Sequence, residues 1–245
     1  MWSDVVDLRD FYQSDLGQVA RRMIVRQISQ IWPDIKGRRV LGLGFATPYL
    51  LAMRHEAERV MAVMPAAQGV LAWPPGERSL VALAEESELP LPDRSIDRVL
   101  LVHALESTEH VHATLREIWR VLADGGKLLV VTPNRLGIWA RLEHTPFGQG
   151  RPYSPSQLNR LLRDTMFTPE QSTTALYMPP FRTRMVLRSA GAWEKMGSRW
   201  FPTFAGVLMV EAGKQIYAAS RAQEKALKVG RYLPVADIFR YSPNS

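Results

Sequence analysis

Short apolar runs that end in turn residues alternate with helical patterns along the first half of the chain. Residues 39–44 form such a run and end in Gly42 and Gly44, which indicates a buried strand followed by a tight turn. Thr47 and Pro48 come next, so we predict a helix over residues 48–55 with Thr47 as its N-cap. Strands that alternate with helices in this way are typical of a parallel sheet covered by helices on both faces.

The same alternation continues to residue 131. We predict a helix that begins after Ser14 and ends at Pro33, strands over residues 60–64, 79–83, 97–102 and 127–131, and a helix over residues 114–122. A loop or lid is expected over residues 133–153, which are rich in Pro, Gly and Arg. Beyond it we predict a helix over residues 155–163, a strand near residues 173–177, a basic helix over residues 182–199, and a last strand over residues 206–218 broken by Gly213.

The length and the cysteine count limit the alternatives. The chain has 245 residues and no cysteine, which excludes disulfides, cysteine-ligated zinc and thiol nucleophiles. We expect an N-terminal helical segment over residues 1–36, one domain over residues 37–220 and a polar basic tail over residues 221–245. The first residues lack the order of a secretory signal, so the cytoplasm is the default compartment.

Positive charge is concentrated in the last third of the chain. Residues 151–245 carry 14 basic and 6 acidic side chains, whereas the formal charge of the whole chain is +7. Trp193, Trp200, Phe201 and Phe204 lie beside the predicted basic helix. Aromatic and basic residues together suit RNA or an anionic membrane surface, and they are equally compatible with an ordinary core beside a solvated basic face.

Two segments resemble a known family. Residues 89–99, LPLPDRSIDRV, are similar to the LPFPDxSFDxV stretch of the class I S-adenosylmethionine-dependent methyltransferases of the type 11 group. Residues 116–128, REIWRVLADGGKL, are similar to the REIxRVLxPGGxL segment of the same group. The resemblance covers about residues 37–135 and implies a Rossmann-like, doubly wound sheet of seven strands with an antiparallel last strand. It also implies S-adenosylmethionine as cofactor and an unidentified methyl acceptor, either a small molecule or a macromolecule.

The resemblance also assigns site residues. The cofactor positions it implies are Gly42, Leu43, Gly44, Phe45, Met64, Glu85, Glu86 and His103. His103 and Glu106, which follow the fourth predicted strand, are the candidate catalytic residues. Trp139, Arg141, Arg151 and Tyr153 are candidates for covering the substrate, since arginine suits an anionic acceptor. No metal is expected, because His103, His110 and His112 match no common zinc spacing.

The glycine turn departs from the family pattern VLDLGCGTG. The chain has VLGLGFATP there, so Gly42, Ala46 and Pro48 replace an acid and two glycines. Met64 stands where the family usually carries the acid that holds ribose hydroxyls, and Gln68 could substitute only by reaching back. An alternative function therefore stays open. A non-catalytic protein with this fold would bind a protein, RNA or an anionic membrane through its basic C-terminal third.

Overall fold

The computed structural model describes residues 4–181 and 183–215 of the chain. Seven strands form one sheet in the order β3-β2-β1-β4-β5-β7-β6. Their bounds are β1 Arg39–Gly44, β2 Arg59–Pro65, β3 Val81–Ala84, β4 Ile96–Val102, β5 Leu122–Pro133, β6 Phe167–Ala175 and β7 Val207–Lys214. The first five strands are parallel, and β7 runs antiparallel to both β5 and β6. This confirms the predicted α/β fold and its antiparallel last strand.

Helices cover both faces of the sheet. They are α1 Val5–Gln13, α2 Asp15–Ile31, α3 Thr47–Leu50, α4 Val111–Val121, α5 Pro155–Asp164, α6 Arg184–Arg188 and α7 Ala190–Trp200. Alternate side chains of a strand point to opposite faces. On β4, Leu100 and Val102 therefore pack in the core under α1, α2 and α3, whereas Val99 and Leu101 pack in the core under α4 and α5.

Two helix starts follow directly from their capping residues. The Ser14 hydroxyl accepts the Gly17 N–H at the start of α2, which confirms the predicted cap. Ser154 and Gln157 form a reciprocal capping box at α5, and Pro155 occupies its first turn. The 3.6-residue pattern then places Leu158 and Leu162 in the core.

Several predicted boundaries are wrong in the first half of the chain. The helix after β1 is one α-helical turn followed by a 3-10 turn at Leu51–Met53, and Ala46 rather than Thr47 precedes it. Thr47 is buried and its side chain caps nothing, because tertiary packing overrides the local signal. The fifth strand begins at Leu122, since Gly125 at φ +77° allows a bulge where a break was predicted.

The second half holds further corrections. The strand predicted near residues 173–177 is β6, which starts earlier, at Phe167. The predicted basic helix is divided at Ser189 into α6 and α7. Gly213 does not break the last strand, because its lack of a side chain makes room for the Lys127–Glu170 ion pair beside it. Arg182, residues 216–218 of the predicted last strand and the tail predicted over residues 221–245 lie outside the described residues.

One ion pair joins the starts of β1 and β4, opposite the edge where ligands bind in such sheets. Asp97 accepts three hydrogen bonds from Arg39, from its backbone N–H at 2.9 Å and from its guanidinium at 2.9 and 3.0 Å. These bonds, chiefly the side-chain ones, hold the pKa of Asp97 below its usual value although partial burial opposes the shift.

We predict that Asp97→Asn lowers the free energy of unfolding at neutral pH by about 1–2 kcal/mol. Because the folded pKa lies below the unfolded one, the contribution of Asp97 is complete above about pH 4 and is lost as the pH falls through the folded value. Denaturant titrations of both proteins between neutral pH and about pH 3 measure this, and their curves should converge at the acid end. Asp124→Asn, at a carboxylate 54% exposed and 3.7 Å from Arg94, is the control.

Candidate functional site

The carboxyl ends of β1 and β4 meet at the glycine turn. Gly44 has φ +79°, and a Cβ there would collide with the Val102 carbonyl oxygen at the end of β4. The Phe45 N–H donates to that same oxygen at 2.9 Å. Gly42 is also restricted, because a Cβ there would lie 2.6 Å from Cδ1 of Leu50. Gly44 therefore lets β1 turn directly against β4, and Gly42 lets α3 pack closely on the strand.

A buried histidine–carboxylate pair follows β4 at this edge. His103 has φ +52°, a left-handed conformation that is unusual for a residue with a side chain. Its Nδ1 lies 3.3 Å from Oε1 of Glu106, and Thr132 at the end of β5 lies 3.4 Å from the other carboxylate oxygen. His103 and Glu106 are 3% and 4% exposed. The structure thus brings together the two candidate catalytic residues predicted from the sequence.

Two tyrosine hydroxyls extend the hydrogen-bonded chain from His103. The Tyr12 hydroxyl lies 2.7 Å from Nε2 of His103 and 2.5 Å from the Tyr49 hydroxyl. Burial raises the pKa of both tyrosines, and the neighbouring phenol raises that of Tyr12 further. Both phenols are therefore protonated at neutral pH. All contacts are satisfied when Tyr49 donates to Tyr12, Tyr12 donates to Nε2, and Nδ1–H donates to Glu106.

Four aromatic rings cover this edge of the sheet, and we call them the aromatic cluster: Phe11, Tyr12, Phe45 and Phe147. The ring of Tyr12 stacks on Phe45 with centroids 5.8 Å apart. Phe147, from the loop after β5, lies 5.0 Å from the His103 ring and 6.0 Å from the Phe11 ring. Side chains from α1 and from the lid therefore lie directly over His103 and the glycine turn.

The ends of β2 and β3 carry the remaining predicted cofactor residues. Met64 is buried, and its sulfur accepts the Leu71 N–H at 3.4 Å. Gln68 does reach back, but its amide donates to the His103 carbonyl oxygen at 2.5 Å. Glu85 is exposed and Glu86 is half-buried just beyond β3. The two glutamates are thus accessible at this edge, whereas Met64 and Gln68 are engaged with the protein itself.

The lid residues separate into packed and exposed groups. Trp139 is buried and donates its indole N–H to the Met178 carbonyl at 2.8 Å. Tyr153 is half-buried and donates to the Leu105 carbonyl at 3.4 Å. Arg141 and Arg151 are exposed. Arg151 and Tyr153 line an open groove of about 630 Å³ at the start of α4, away from the aromatic cluster.

The sequence predicts a helical segment over residues 1–36 but not the separate helix α1, and it assigns no role to Tyr12. The available signal was an Asp4 cap followed by Val5, Leu8, Phe11 and Tyr12, all of which are buried at helical spacing. Tyr49 and Phe147 were missed as well. Nothing local marks them, because their contacts depend on how distant segments pack.

Part of the chain is similar in sequence to known proteins. A methyltransferase domain family matches residues 41–130. Curated relatives include a ubiquinone/menaquinone biosynthesis C-methyltransferase, UbiE, of Laribacter hongkongensis, 38% identical over 63 residues that make up 26% of this chain and 25% of that protein. The UbiE of Chromobacterium violaceum is 39% identical over 67 residues, or 27% and 26% of the two chains. The chain therefore aligns with about a quarter of the length of these relatives.

Solved structures share the fold over most of the chain. A SAM-dependent methyltransferase of Thermotoga maritima, described as a possible histamine N-methyltransferase, is 17% identical, with a TM-score of 0.58 over 86% of this chain and 96% of that one. The 1,6-didemethyltoxoflavin-N1-methyltransferase of Burkholderia thailandensis, solved with S-adenosylhomocysteine, is 18% identical, with a TM-score of 0.51 over 86% and 83%. Residues 41–130 thus match a methyltransferase domain family, and the seven-stranded sheet shares its fold with solved S-adenosylmethionine-dependent methyltransferases.

Proposed function

We propose that the protein is an S-adenosylmethionine-dependent methyltransferase whose reacting groups meet at the edge formed by Gly44, His103 and Glu106. The observation that carries the proposal is the buried His103–Glu106 pair, held with His103 at positive φ beside the glycine turn. A strained backbone at a buried titratable pair is typical of functional sites. In open α/β sheets the ligand binds at this carboxyl edge.

The chemistry of the side chains suits most of the cofactor. Glu85 and Glu86 offer carboxylates that can accept hydrogen bonds from hydroxyl or amino groups, and Phe45 offers a ring face beside Gly44. Met64 offers no such acceptor, so the ribose would depend on the glutamates. Tyr12 and Phe147 lie over His103, so we propose that α1 and the lid move aside when the cofactor enters.

A seam between α1 and the lid supports this movement. A cavity of about 360 Å³ separates them and is lined by Asp7, Asp10 and Phe11 of α1 and by Glu143, His144 and Gln149 of the lid. Asp7 and Asp10 of α1 lie across this cavity from Glu143 of the lid, and Asp10 also pairs with Arg9 at 2.8 Å. Opening would move the acidic residues of α1 away from Glu143. It would cost the burial of Leu8, Phe11 and Tyr12 as well as the contacts that Tyr12 makes with His103 and Tyr49.

Two side chains of the protein, His103 and Glu106, would form the group that receives a proton from the methyl acceptor. When bound, the cofactor supplies an electrophilic methyl group. Glu106 orients His103 through Nδ1, which leaves Nε2 as the acceptor. We call the arrangement in which α1 and the lid cover His103 the closed arrangement, and in it the Tyr12 hydroxyl contacts Nε2. When Tyr12 moves away, that nitrogen is free to take a proton from the methyl acceptor. Exposed Arg141 of the lid favours an acceptor that carries negative charge.

A second candidate function rests on the side chains of the protein that already fill the carboxyl edge of the sheet. Met64 lacks the expected carboxylate, and Tyr12 already satisfies His103 and Tyr49. A non-catalytic protein with a methyltransferase fold would keep this arrangement permanently closed and would act by binding a partner. Cofactor binding distinguishes the two candidates.

Methyl transfer can be followed as label that passes from methyl-labelled S-adenosylmethionine to an acceptor in fractionated cell extract, with S-adenosylhomocysteine measured as the second product. We predict product above the no-protein control, and a reduction of about a hundredfold in Glu106→Gln, because His103 loses the anionic group that orients it. Glu109→Gln is the matched control, since Glu109 is exposed and only three residues away. Equal activity in both variants would contradict the role of the pair.

A further inference from the structure

Exposed apolar side chains are concentrated on one surface of the protein. Met185 is 82% exposed and Trp200 is 69% exposed. We define the docking face as the following exposed residues of the segment that holds α6 and α7: Phe181, Met185, Trp193, Met196, Trp200, Phe201 and Phe204. Seven of the thirteen exposed large apolar side chains of the described residues thus fall in this one segment, and such a concentration is typical of an interaction site.

Helix α7 shows how this face is built. Ala190 and Gly197 are buried on one side of the helix, where Gly197 packs on the Tyr177 ring. Trp193, Met196 and Trp200 recur at intervals of three and four residues and form an exposed stripe next to that side. The stripe is therefore an outward-facing apolar surface that the described fold leaves uncovered.

The exposed charged side chains described on α6 and α7 are all positive. Arg188, Lys195 and Arg199 are exposed on α6 and α7. Glu194 is the only acidic residue between positions 181 and 204, and its carboxylate accepts the Tyr177 N–H at 2.8 Å on the inner side of α7. The outward surface thus combines aromatic and methionine side chains with cations and no outward-facing anion.

The face adjoins the lid of the candidate site. The Asn134 amide donates to the carbonyls of Thr203 and Ala205 at 2.9 and 2.8 Å. This brings the lid beside the end of the docking face, where Leu136 and Ile138 add exposed apolar side chains of their own. A surface bound here would lie next to the segment that covers His103.

We propose that this face docks the protein on an anionic lipid membrane. Apolar and aromatic side chains enter the boundary between headgroups and acyl chains, and flanking lysines and arginines bind the anionic headgroups. Among the described residues no helix is long and apolar enough to cross a membrane. Exposed methionines contribute to burial in lipid but not to stacking on nucleic acid bases, which favours lipid over RNA. The proposal is independent of methyltransferase activity.

Flotation of the full chain with lipid vesicles tests the proposal. The probes are phosphatidylcholine vesicles with and without about one-third phosphatidylglycerol. We expect binding to the anionic vesicles at least about tenfold tighter than to the neutral ones, and a partial loss as salt is raised.

Three variants separate the contributions. Met185→Ser, Trp200→Ser and Phe201→Ser together should weaken binding to anionic vesicles by about a hundredfold or more. Arg188→Gln, Lys195→Gln and Arg199→Gln together should remove the preference for anionic lipid. The matched control replaces the exposed Leu51, Val70 and Leu83 by serine, which removes apolar surface elsewhere and should leave binding unchanged. Circular dichroism and melting curves establish that each variant is folded.

Three results would overturn the proposal. The folded wild-type chain fails to float with either vesicle, or the control triple weakens binding as much as the docking-face triple. The third is that vesicles are not bound, whereas the protein binds RNA or self-associates in sedimentation and the docking-face triple variant abolishes that interaction. These last results would assign the face to nucleic acid or to a second copy of the chain.

Discussion

Tyr12→Phe is expected to tighten the binding of S-adenosylhomocysteine by about thirtyfold, because two hydrogen bonds of the closed arrangement are lost. The substitution removes the hydroxyl that contacts His103 and Tyr49 but keeps the ring that stacks on Phe45. Each lost hydrogen bond destabilises the closed arrangement by about 1 kcal/mol. A ligand that binds only the open arrangement gains affinity as the closed one becomes less populated. Calorimetric titration of wild-type and variant proteins measures the difference.

Tyr177→Phe is the matched control for this variant. Its hydroxyl also contacts a neighbouring hydroxyl, that of Thr174 at 2.5 Å, but it lies beside α7 and away from the aromatic cluster. Affinity for S-adenosylhomocysteine should be unchanged by this control. An affinity that falls in Tyr12→Phe would show that the hydroxyl contacts the ligand and does not hold the site closed.

Gly44→Ala is expected to lower the melting temperature by about 9 °C. A non-glycine residue at φ +79° costs about 1 kcal/mol, and the collision of its Cβ with the Val102 carbonyl adds about 2 kcal/mol or more. In a protein of this size each 1 kcal/mol corresponds to about 3 °C. The backbone atoms at the turn cannot move aside cheaply, because they pair β1 with β4.

Gly37→Ala isolates the conformational part of this effect. Gly37 has φ +66°, but a Cβ there would meet no atom within 4 Å. The expected loss is about 1 kcal/mol, or about 3 °C. Calorimetric melting of both variants checks the comparison. Equal shifts at the two glycines would mean that the turn after β1 is not packed against β4.

Local sequence signals, such as capping residues and short apolar runs, correctly predicted the helices and strands whose ends they determine. Ser14 and Ser154 cap α2 and α5 as expected. The apolar run at residues 39–44 forms the inner strand β1, the runs at residues 60–64 and 79–83 overlap β2 and β3, and the two family segments overlap β4 and β5. These predictions succeed because capping, strand burial and turn chemistry act within a few residues of one another.

The closed site could not be predicted in the same way. The contact between Tyr12 and His103 joins residues 91 positions apart, and Phe147 approaches from a third segment. The one-turn length of α3 also depends on packing, since its Thr47–Pro48 signal favours a longer helix. The family resemblance thus identified His103 and Glu106, whereas the residues that cover them depend on tertiary contacts that no single pattern encodes.

Calorimetric titration of the folded wild-type protein with S-adenosylhomocysteine tests the central claim most directly. Hydrogen exchange of the α1 amides, with and without ligand, accompanies the titration and reports whether this helix moves. We predict binding at one site, with faster exchange in α1 when the ligand is present. Absence of binding by both the wild-type protein and folded Tyr12→Phe would contradict the claim and would favour the non-catalytic alternative.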